Sequence, residues 1–225
     1  MAKTELSKNQ HLFLQFFASK EQLFSAFYFT GGTCLTEFYL HHRYSEDLDF
    51  FSERQFNVSD ITLFLNSHKK KLQIAKIDYQ QSFNRNIYQL LYEKKGILKV
   101  EFTYYPFNRI ETKKSMMKTI QIDSLIDIAV NKLFTIYQNP RGRDYFDLYL
   151  ITIKDPKITI KRCISLARAK FDFPIDLLQL GSQFMKAQSL FDDPILKVKT
   201  KKKNIEHFFL KEAMNLKSKL LSDSV

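Results

Sequence analysis

The sequence has few cysteines, which cross-link small proteins, and few glycines and prolines, which interrupt helices and strands. Its 225 residues include two cysteines, Cys34 and Cys163, too few for a disulfide framework or a zinc site. There is no tryptophan. Glycine and proline, which commonly end helices and strands, occur only five times each, so each one is informative about where an element ends. No run of 18 apolar residues is present, which argues against a membrane-spanning helix. The first residues lack a signal-peptide apolar region, so we expect a cytoplasmic protein with no membrane partner.

What the sequence does have is positive charge. Lys and Arg together number 35 against 24 Asp and Glu, so the formal net charge is +11. Hydrophobic residues make up 44%, which is an ordinary globular composition. An excess of this size favours a polyanionic partner, most often a nucleic acid or a membrane surface.

Hydrophobic periodicity predicts an α+β first part and a helical second part. We expect the boundary near residue 118, giving an α/β core over 1–118 and a helical region over 119–225. The predicted strands are residues 23–29, 47–51, 72–80, 87–93 and 97–104. The predicted helices are residues 5–19, 34–40, 57–70, 124–138, one from about 143, and a last one near 205–221, with further helical pattern from 160 onward.

Gly31-Gly32-Thr33 lies where a predicted strand meets a predicted helix. Glycine lets the backbone approach a ligand closely, and a helix N-terminus presents free N–H groups to an anion. The motif therefore predicts a phosphate-binding turn, with an ordinary strand-to-helix turn as the alternative.

Asp47-Leu48-Asp49 places two carboxylates on one face of a strand, because residues i and i+2 project the same way. A divalent cation relieves the repulsion between them, and Mg²⁺ prefers such oxygens together with phosphate and water. The alternative is an edge strand with one solvated face. Glu101, on a later strand, would join the pair if the strands are neighbours with matching faces. By itself Glu101 also fits a solvated strand position.

Lys132 falls within the apolar stripe of a predicted helix, where a lysine needs an anionic partner or a route to water. Asp144 and Asp147 share a face of the next helix with Leu148. Acids in a first helical turn are favoured by the helix dipole alone. Because these two lead into an apolar stripe, we also expect a buried contact between Lys132 and Asp144, or between an Arg and one of the acids.

The order of these motifs is more specific than any one of them. Gly-Gly-Thr, a gap of 13 residues, Asp-Leu-Asp and a later Val-Glu-Phe resemble the signature of DNA-polymerase-β-like nucleotidyltransferases. FTGGTCL, HHRYSEDLDFF, KVEF and RDYFDLY, with Lys132 between the last two, resemble the AbiEii/AbiGii-type nucleotidyltransferase toxins. These are the toxin halves of bacterial toxin–antitoxin and phage abortive-infection pairs. The resemblance covers about residues 25–153.

The resemblance implies a polymerase-β-like core, a mixed sheet flanked by helices, whose active site the helical C-terminal region completes. It implies transfer of a nucleoside monophosphate from an NTP to an acceptor, often the 3′ end of tRNA, and an antitoxin protein as partner. Carried over by position, two Mg²⁺ ions would be held by Asp47, Asp49 and Glu101. Lys132 and Asp144 would be catalytic, and Asp147 would support its helix. Nucleotide contacts would come from Gly31, Gly32, Thr33, Arg43, Ser45 and Lys132.

Two other functions fit the same residues. A nucleotidyltransferase of this kind could modify a small molecule or a protein, and a catalytically silent copy could simply bind nucleic acid. The intact Asp47 and Asp49 argue against the silent copy, and the net charge favours an RNA acceptor over a small one.

Overall fold

The computed structural model describes residues 5–20, 24–93, 96–111, 114–117, 120–189, 196–198 and 200–222. The chain forms two compact units, which we call the first and second unit. The first unit comprises Met1–His41, Ser45–Asn108 and Thr112–Ser124, and the second comprises His42–Tyr44, Arg109–Glu111 and Leu125–Val225. The predicted boundary between residues 118 and 119 lies outside the described residues.

The first unit is built on a mixed sheet, as the sequence predicted. Its strands are β1 Tyr28–Thr30, β2 Leu48–Ser52, β3 Ile74–Ser82, β4 Arg85–Tyr92, β5 Ile97–Tyr104, β6 Lys114–Met117 and β7 Ile120–Ile122. Among the described residues they follow the order β3-β4-β5-β2-β1-β7-β6. Strand β2 runs parallel to β5 and antiparallel to β1, and β1 runs parallel to β7. The other neighbours are antiparallel.

Helices accompany this sheet, and local signals set their starts. Helix α1 (Lys8–Ala18) begins with a capping box in which Ser7 and Gln10 bond each other's backbone. Helix α2 (Gly31–Leu35) follows β1 directly and continues as a π-helix over Thr36–Leu40. Helix α3 (Val58–Ser67) begins where the Asn57 side chain accepts from the Ser59 N–H.

One face of β2 and β5 forms the core of the first unit. Phe50 and Phe102 are fully buried on it, and their rings stack with centroids 5.3 Å apart. Phe17 of α1 stacks on Phe50 at 4.2 Å. Aromatic side chains therefore fill this core. Strand alternation sends every second side chain of β2 and β5, including Asp49 and Glu101, to the opposite face.

The second unit is helical. Tyr145, Phe184 and Phe209 pack edge to face or tilted in its centre, with Phe209 fully buried. No helix among the described residues is both long and apolar enough to cross a membrane. The helices are α4 Leu125–Gln138, α5 Gly142–Lys154, α6 Ile160–Phe171, α7 Leu177–Met185, a 3₁₀ turn at Lys186–Gln188, and α8 Lys202–Ser222.

Two sequence predictions need correction. The strand predicted over 23–29 begins only at Tyr28, because the chain turns between Phe24 and Phe27 with a 3.0 Å backbone hydrogen bond; residue 23 lies outside the described residues. Strands β6 and β7 were not predicted. At four and three residues they are too short for alternation to reveal them.

Candidate active site

The sheet brings the three predicted carboxylates to one face. In the parallel pairing of β2 with β5, Asp49 lies directly beside Glu101. Asp47 immediately precedes β2 and so shares the face of Asp49. Leu48, between them, is fully buried on the other side. The Asp-Leu-Asp spacing thus does what the sequence predicted. We call Asp47, Asp49 and Glu101 the carboxylate cluster.

The glycine turn supports this cluster by close packing. A Cβ added at Gly31 would overlap the Oδ2 atom of Asp49, and Gly31 has a φ of +74°. Both facts require glycine at this position. The hydroxyl of Thr33 donates to the backbone carbonyl of Asp47. The Gly31-Gly32-Thr33 turn therefore fixes the two aspartates, in addition to any contact it makes with phosphate.

Two cations of the same unit lie on the carboxylate cluster. The Nζ atom of Lys99 is 2.9 Å from Asp47 Oδ2 and 3.8 Å from Glu101 Oε2. Arg85 donates from Nε and Nη2 to the two oxygens of Glu101, each at 2.6 Å. Burial would raise the pKa of Glu101, but its bonds with Arg85 and Thr103 and the charge of Lys99 lower it. Glu101 is therefore ionised.

The donor set of this face suits a divalent cation in part. Asp47 and Asp49 offer carboxylate oxygens on one face, and the Asp47 side chain is 36% exposed, so its partner Lys99 can be replaced by an ion. Glu101 is only 5% exposed, and both its oxygens are held by Arg85. Across the described ranges, no group of three or more His, Cys, Asp or Glu is placed to hold a metal. Asp47 and Asp49 fit the ion, and the metal role of Glu101 stays a prediction.

The second unit holds the predicted lysine in a buried ion network. Lys132 Nζ lies 2.7 Å from Asp144 Oδ1 and 2.8 Å from Asp147 Oδ2, which confirms the predicted Lys132–Asp144 contact. The contact with Asp144 is also a hydrogen bond, and Asp147 adds a second ion pair. Lys132 is 8% exposed, and its contact with a substrate phosphate stays a prediction.

Asp147 is the centre of this network. Arg43 donates to it twice, from Nε at 2.7 Å and from Nη2 at 2.8 Å, and His42 Nε2 lies 2.7 Å away. With Lys132, four donors meet the roughly four lone-pair positions of one carboxylate. Asp147 does more than support its own helix. We call Arg43, Lys132, Arg141, Asp144 and Asp147 the ion network.

The network keeps its members charged at neutral pH. Burial would lower the pKa of Lys132, but the carboxylates of Asp147 and Asp144 outweigh it and raise the pKa. Burial would likewise raise the pKa of Asp144 and Asp147, yet their cations lower both, that of Asp147 strongly. Arg141 contributes by donating to both oxygens of Asp144. Lys132 is therefore a fixed cation and not a proton acceptor.

The remaining predicted residues have more structural contacts than the sequence suggested. The guanidinium of Arg43 is 4% exposed and bonds Asp147 and the carbonyl of Tyr44. The carbonyl of Ser45 accepts from the Gln10 side chain at 2.9 Å. Contacts of Arg43 and Ser45 with a nucleotide stay predictions.

Sequence reasoning missed several charged partners. Lys99 lies two residues before Glu101 on an alternating strand, so its shared face was readable. Arg141 lies three residues before Asp144, the spacing of helical neighbours. Arg85 and His42 gave no such signal, because pairing across the sheet and across 105 residues brings them to their acids.

Comparison with known proteins gives one family match and several structural ones. The family described as nucleotidyl transferase AbiEii toxin, type IV toxin–antitoxin system, matches residues 13–215. Among curated proteins, none matches the chain.

Two solved structures from Helicobacter pylori are similar over nearly their full length. The protein JHP933 is 20% identical with a TM-score of 0.58, covering 97% of this chain and 96% of that one. A candidate nucleotidyltransferase is 19% identical with a TM-score of 0.60, covering 96% and 98%. At these identities the likeness shows a shared fold, the one that the sequence predicted.

Proposed function

The chain belongs to the AbiEii family of nucleotidyltransferase toxins from type IV toxin–antitoxin systems, and from this premise we propose a specific reaction. The protein transfers a nucleoside monophosphate from an NTP to the 3′ end of tRNA with release of pyrophosphate, depends on Mg²⁺, and acts in the cytoplasm. Family membership itself makes the chain a nucleotidyltransferase with an NTP as substrate and a cognate antitoxin as partner.

The observation that carries the proposal is the fixed pair of aspartates. Asp49 is packed against Gly31, and Asp47 is bonded through its carbonyl to Thr33. These contacts hold two carboxylates on one face of a strand, beside the start of a helix. Such an arrangement suits an enzyme that must hold a metal-bound triphosphate rigidly, since phosphoryl transfer depends chiefly on positioning and charge.

Each group has a task in this proposal. Asp47 and Asp49 would hold Mg²⁺, and the ion would supply charge neutralisation for the triphosphate and for the acceptor hydroxyl. Lys132 supplies a permanent positive charge, and its ammonium donates to a phosphate oxygen. Asp144 orients the ammonium of Lys132. Because the network holds Lys132 charged, its contribution does not depend on a proton transfer.

Surface charge supports RNA as the acceptor. The net charge is +11, and exposed lysines include Lys70, Lys71 and Lys201–Lys203. Lysines of this kind bind phosphates without reading sequence. A small-molecule acceptor would need no such surface.

Incubation of the purified protein with α-labelled NTPs, Mg²⁺ and total tRNA tests the proposal. We expect label on RNA with the wild type and at least about a thousandfold less with Asp49→Asn. The exposed Asp78→Asn variant, on strand β3, is the matched control and keeps full activity.

Two outcomes would contradict the acceptor. Label on a protein or small molecule, with none on RNA, would replace tRNA by that acceptor. No transfer to any acceptor would favour a protein that only binds nucleic acid. Growth arrest on expression, lost in Lys132→Ala, tests the toxin activity in cells.

A further inference from the structure

Helix α6 is unusually basic for a helix packed on a core. Its twelve residues carry Lys161, Arg162, Arg168 and Lys170 and no acid. Two of these cations lie in the first turn, where the helix dipole disfavours positive charge. Lys170 is accounted for, because its Nζ bonds the buried Asp127 at 2.7 Å. Lys161, Arg162 and Arg168 are exposed; Arg168 donates to the carbonyl of Ile175 at 2.7 Å and Arg162 to that of Lys157 at 3.3 Å.

The basic side of α6 borders a cavity of about 430 Å³ within the second unit. Lys161, Ser165 and Arg168, spaced four and three residues apart, lie on one helical face and all line it. Helix α8 contributes Glu212 and Asn215 from across the cavity. The apolar part of the lining is Ile160, Ile164, Leu177 and Leu216.

This lining combines three chemistries in one place. Exposed cations suit phosphates, and apolar side chains can enclose the face of an unstacked base. The carboxylate of Glu212 and the amide of Asn215 suit the hydrogen-bonding edge of a base. Burial raises the pKa of Glu212, and a carboxylate here would repel a phosphate placed next to it. The part of the cavity beside Glu212 and Asn215, which contact each other at 3.5 Å, therefore fits a base better than an anion.

We propose that this cavity binds one unstacked nucleotide of the RNA acceptor, with its base against Ile164 and Leu216 and its phosphates on Lys161 and Arg168. The volume is ample for a nucleotide, since ligand cavities begin near about 300 Å³. Proteins that recognise single-stranded loops and ends of RNA commonly bind unstacked bases. The proposal rests on the proposed function, since it takes RNA as the acceptor.

Helix α6 packs directly against α4, the helix that carries Lys132. Phe171, at the end of α6, stacks on Phe134 of α4 with centroids 4.0 Å apart. The Lys170–Asp127 bond joins the same two helices. RNA held by α6 is thus held by a helix fixed to the one that bears the predicted phosphate-binding lysine.

Two variants with different physical effects test the cavity. Lys161→Glu reverses the charge of an exposed lining residue, and Ser165→Trp fills the cavity without changing its charge. Lys217→Glu reverses an exposed charge on α8 that does not line the cavity and is the matched control. Binding of total tRNA is measured by filter retention across a salt series, with Asp49→Asn as the common background, and thermal melts confirm folding.

We expect both cavity variants to bind tRNA about tenfold more weakly than the background protein. The slope of log affinity against log salt falls by about one for Lys161→Glu and stays unchanged for Ser165→Trp. The control stays within about twofold. Equal weakening by Lys217→Glu, or tRNA binding by folded Ser165→Trp that matches the background, would overturn the proposal.

A transfer assay separates this result from failure of the proposed function. If the wild type labels RNA while Lys161→Glu and Ser165→Trp label it equally well, the cavity has no role and the reaction stands. If the wild type labels no RNA, the assignment of RNA as the acceptor is wrong, and the cavity proposal, which depends on it, is wrong as well. Loss of NTP binding in Ser165→Trp with tRNA binding intact would also overturn the proposal, because the cavity would then hold free nucleotide.

Discussion

The Asp47–Lys99 pair of the carboxylate cluster and the pairs that Lys132 forms in the ion network both join acids to a cation, but they differ in exposure. Asp47 is 36% exposed and its partner Lys99 is 31% exposed. Asp144 and Asp147 are fully buried, and Lys132 is nearly so. Exposed pairs are worth little and exchange partners easily, whereas a buried pair that loses one member leaves an uncompensated charge. The first arrangement can accept a metal ion, and the second holds one cation permanently.

The largest effect on stability is expected in the ion network. Asp147→Asn removes the charge that faces Arg43 and Lys132, and leaves His42 bonded to an amide. We expect unfolding free energy to fall by about 3–5 kcal/mol, measured by urea denaturation. Asp78→Asn breaks only the exposed Lys76–Asp78 pair and should change it by less than about 0.5 kcal/mol. Similar losses of unfolding free energy in both variants would show that the buried ion network stabilises the fold no more than an exposed ion pair.

The second largest effect is expected from Gly31→Ala, which disturbs the carboxylate cluster. The added methyl group must displace the Asp49 carboxylate, and residue 31 must keep a left-handed backbone. We expect a loss of about 1–3 kcal/mol in stability and at least about a hundredfold in transfer activity. Gly181→Ala adds a methyl group whose nearest neighbour is 3.9 Å away, and it should keep both. Retained activity in Gly31→Ala would show that Asp49 tolerates displacement.

A smaller effect is expected from removing the cation on Asp47. Lys99→Met should tighten Mn²⁺ binding by up to about fivefold, because the ion no longer displaces a half-exposed ammonium. Calorimetric titration gives the affinity. Lys76→Met, at an exposed pair on β3, leaves it unchanged. Weaker Mn²⁺ binding in Lys99→Met would mean that Lys99 assists the ion rather than competing with it.

The smallest effect concerns His42. Burial lowers its pKa more than the contact with Asp147 raises it, so the folded state keeps the ring neutral where the unfolded chain takes up a proton. Stability should therefore decline as the pH falls below about 6.5, the ordinary value for histidine. His42→Gln should make the decline between pH 6.5 and 5 shallower, as followed by thermal melts. The exposed His207→Gln should not; equal slopes in wild type and His42→Gln would refute the assignment.

Much of the fold was predictable because its signals are local. Strand β5 spans Ile97–Tyr104 as predicted, since Leu98, Val100 and Phe102 alternate with polar residues. Helix α4 ends at Gln138 as predicted, shortly before Pro140. The π-helical turn over Thr36–Leu40 was expected as part of an ordinary helix, because hydrophobic pattern does not distinguish the two at this length.

The candidate site was predictable in its acids but not in their partners. Asp47, Asp49 and Glu101 share a face because strand period and register require it. The bond between Arg43 and Asp147 spans 104 residues, and that between Arg85 and Glu101 depends on strand pairing. Such contacts arise from tertiary packing, which no local pattern encodes. Lys132 was predicted to need either an anionic partner or a route to water, and the structure gives it the expected contact with Asp144, because burial of a charge requires compensation.

The central claim is that a divalent cation binds at the carboxylate cluster, and metal titration measures this directly. Mn²⁺ titration of the wild type, Asp49→Asn and Asp144→Asn compares the two regions in one measurement, with thermal melts to confirm folding. We predict at least about a hundredfold weaker binding in Asp49→Asn and wild-type affinity in Asp144→Asn. Wild-type affinity in Asp49→Asn, or equal loss in folded Asp144→Asn, would contradict the assignment of the metal to the carboxylate cluster.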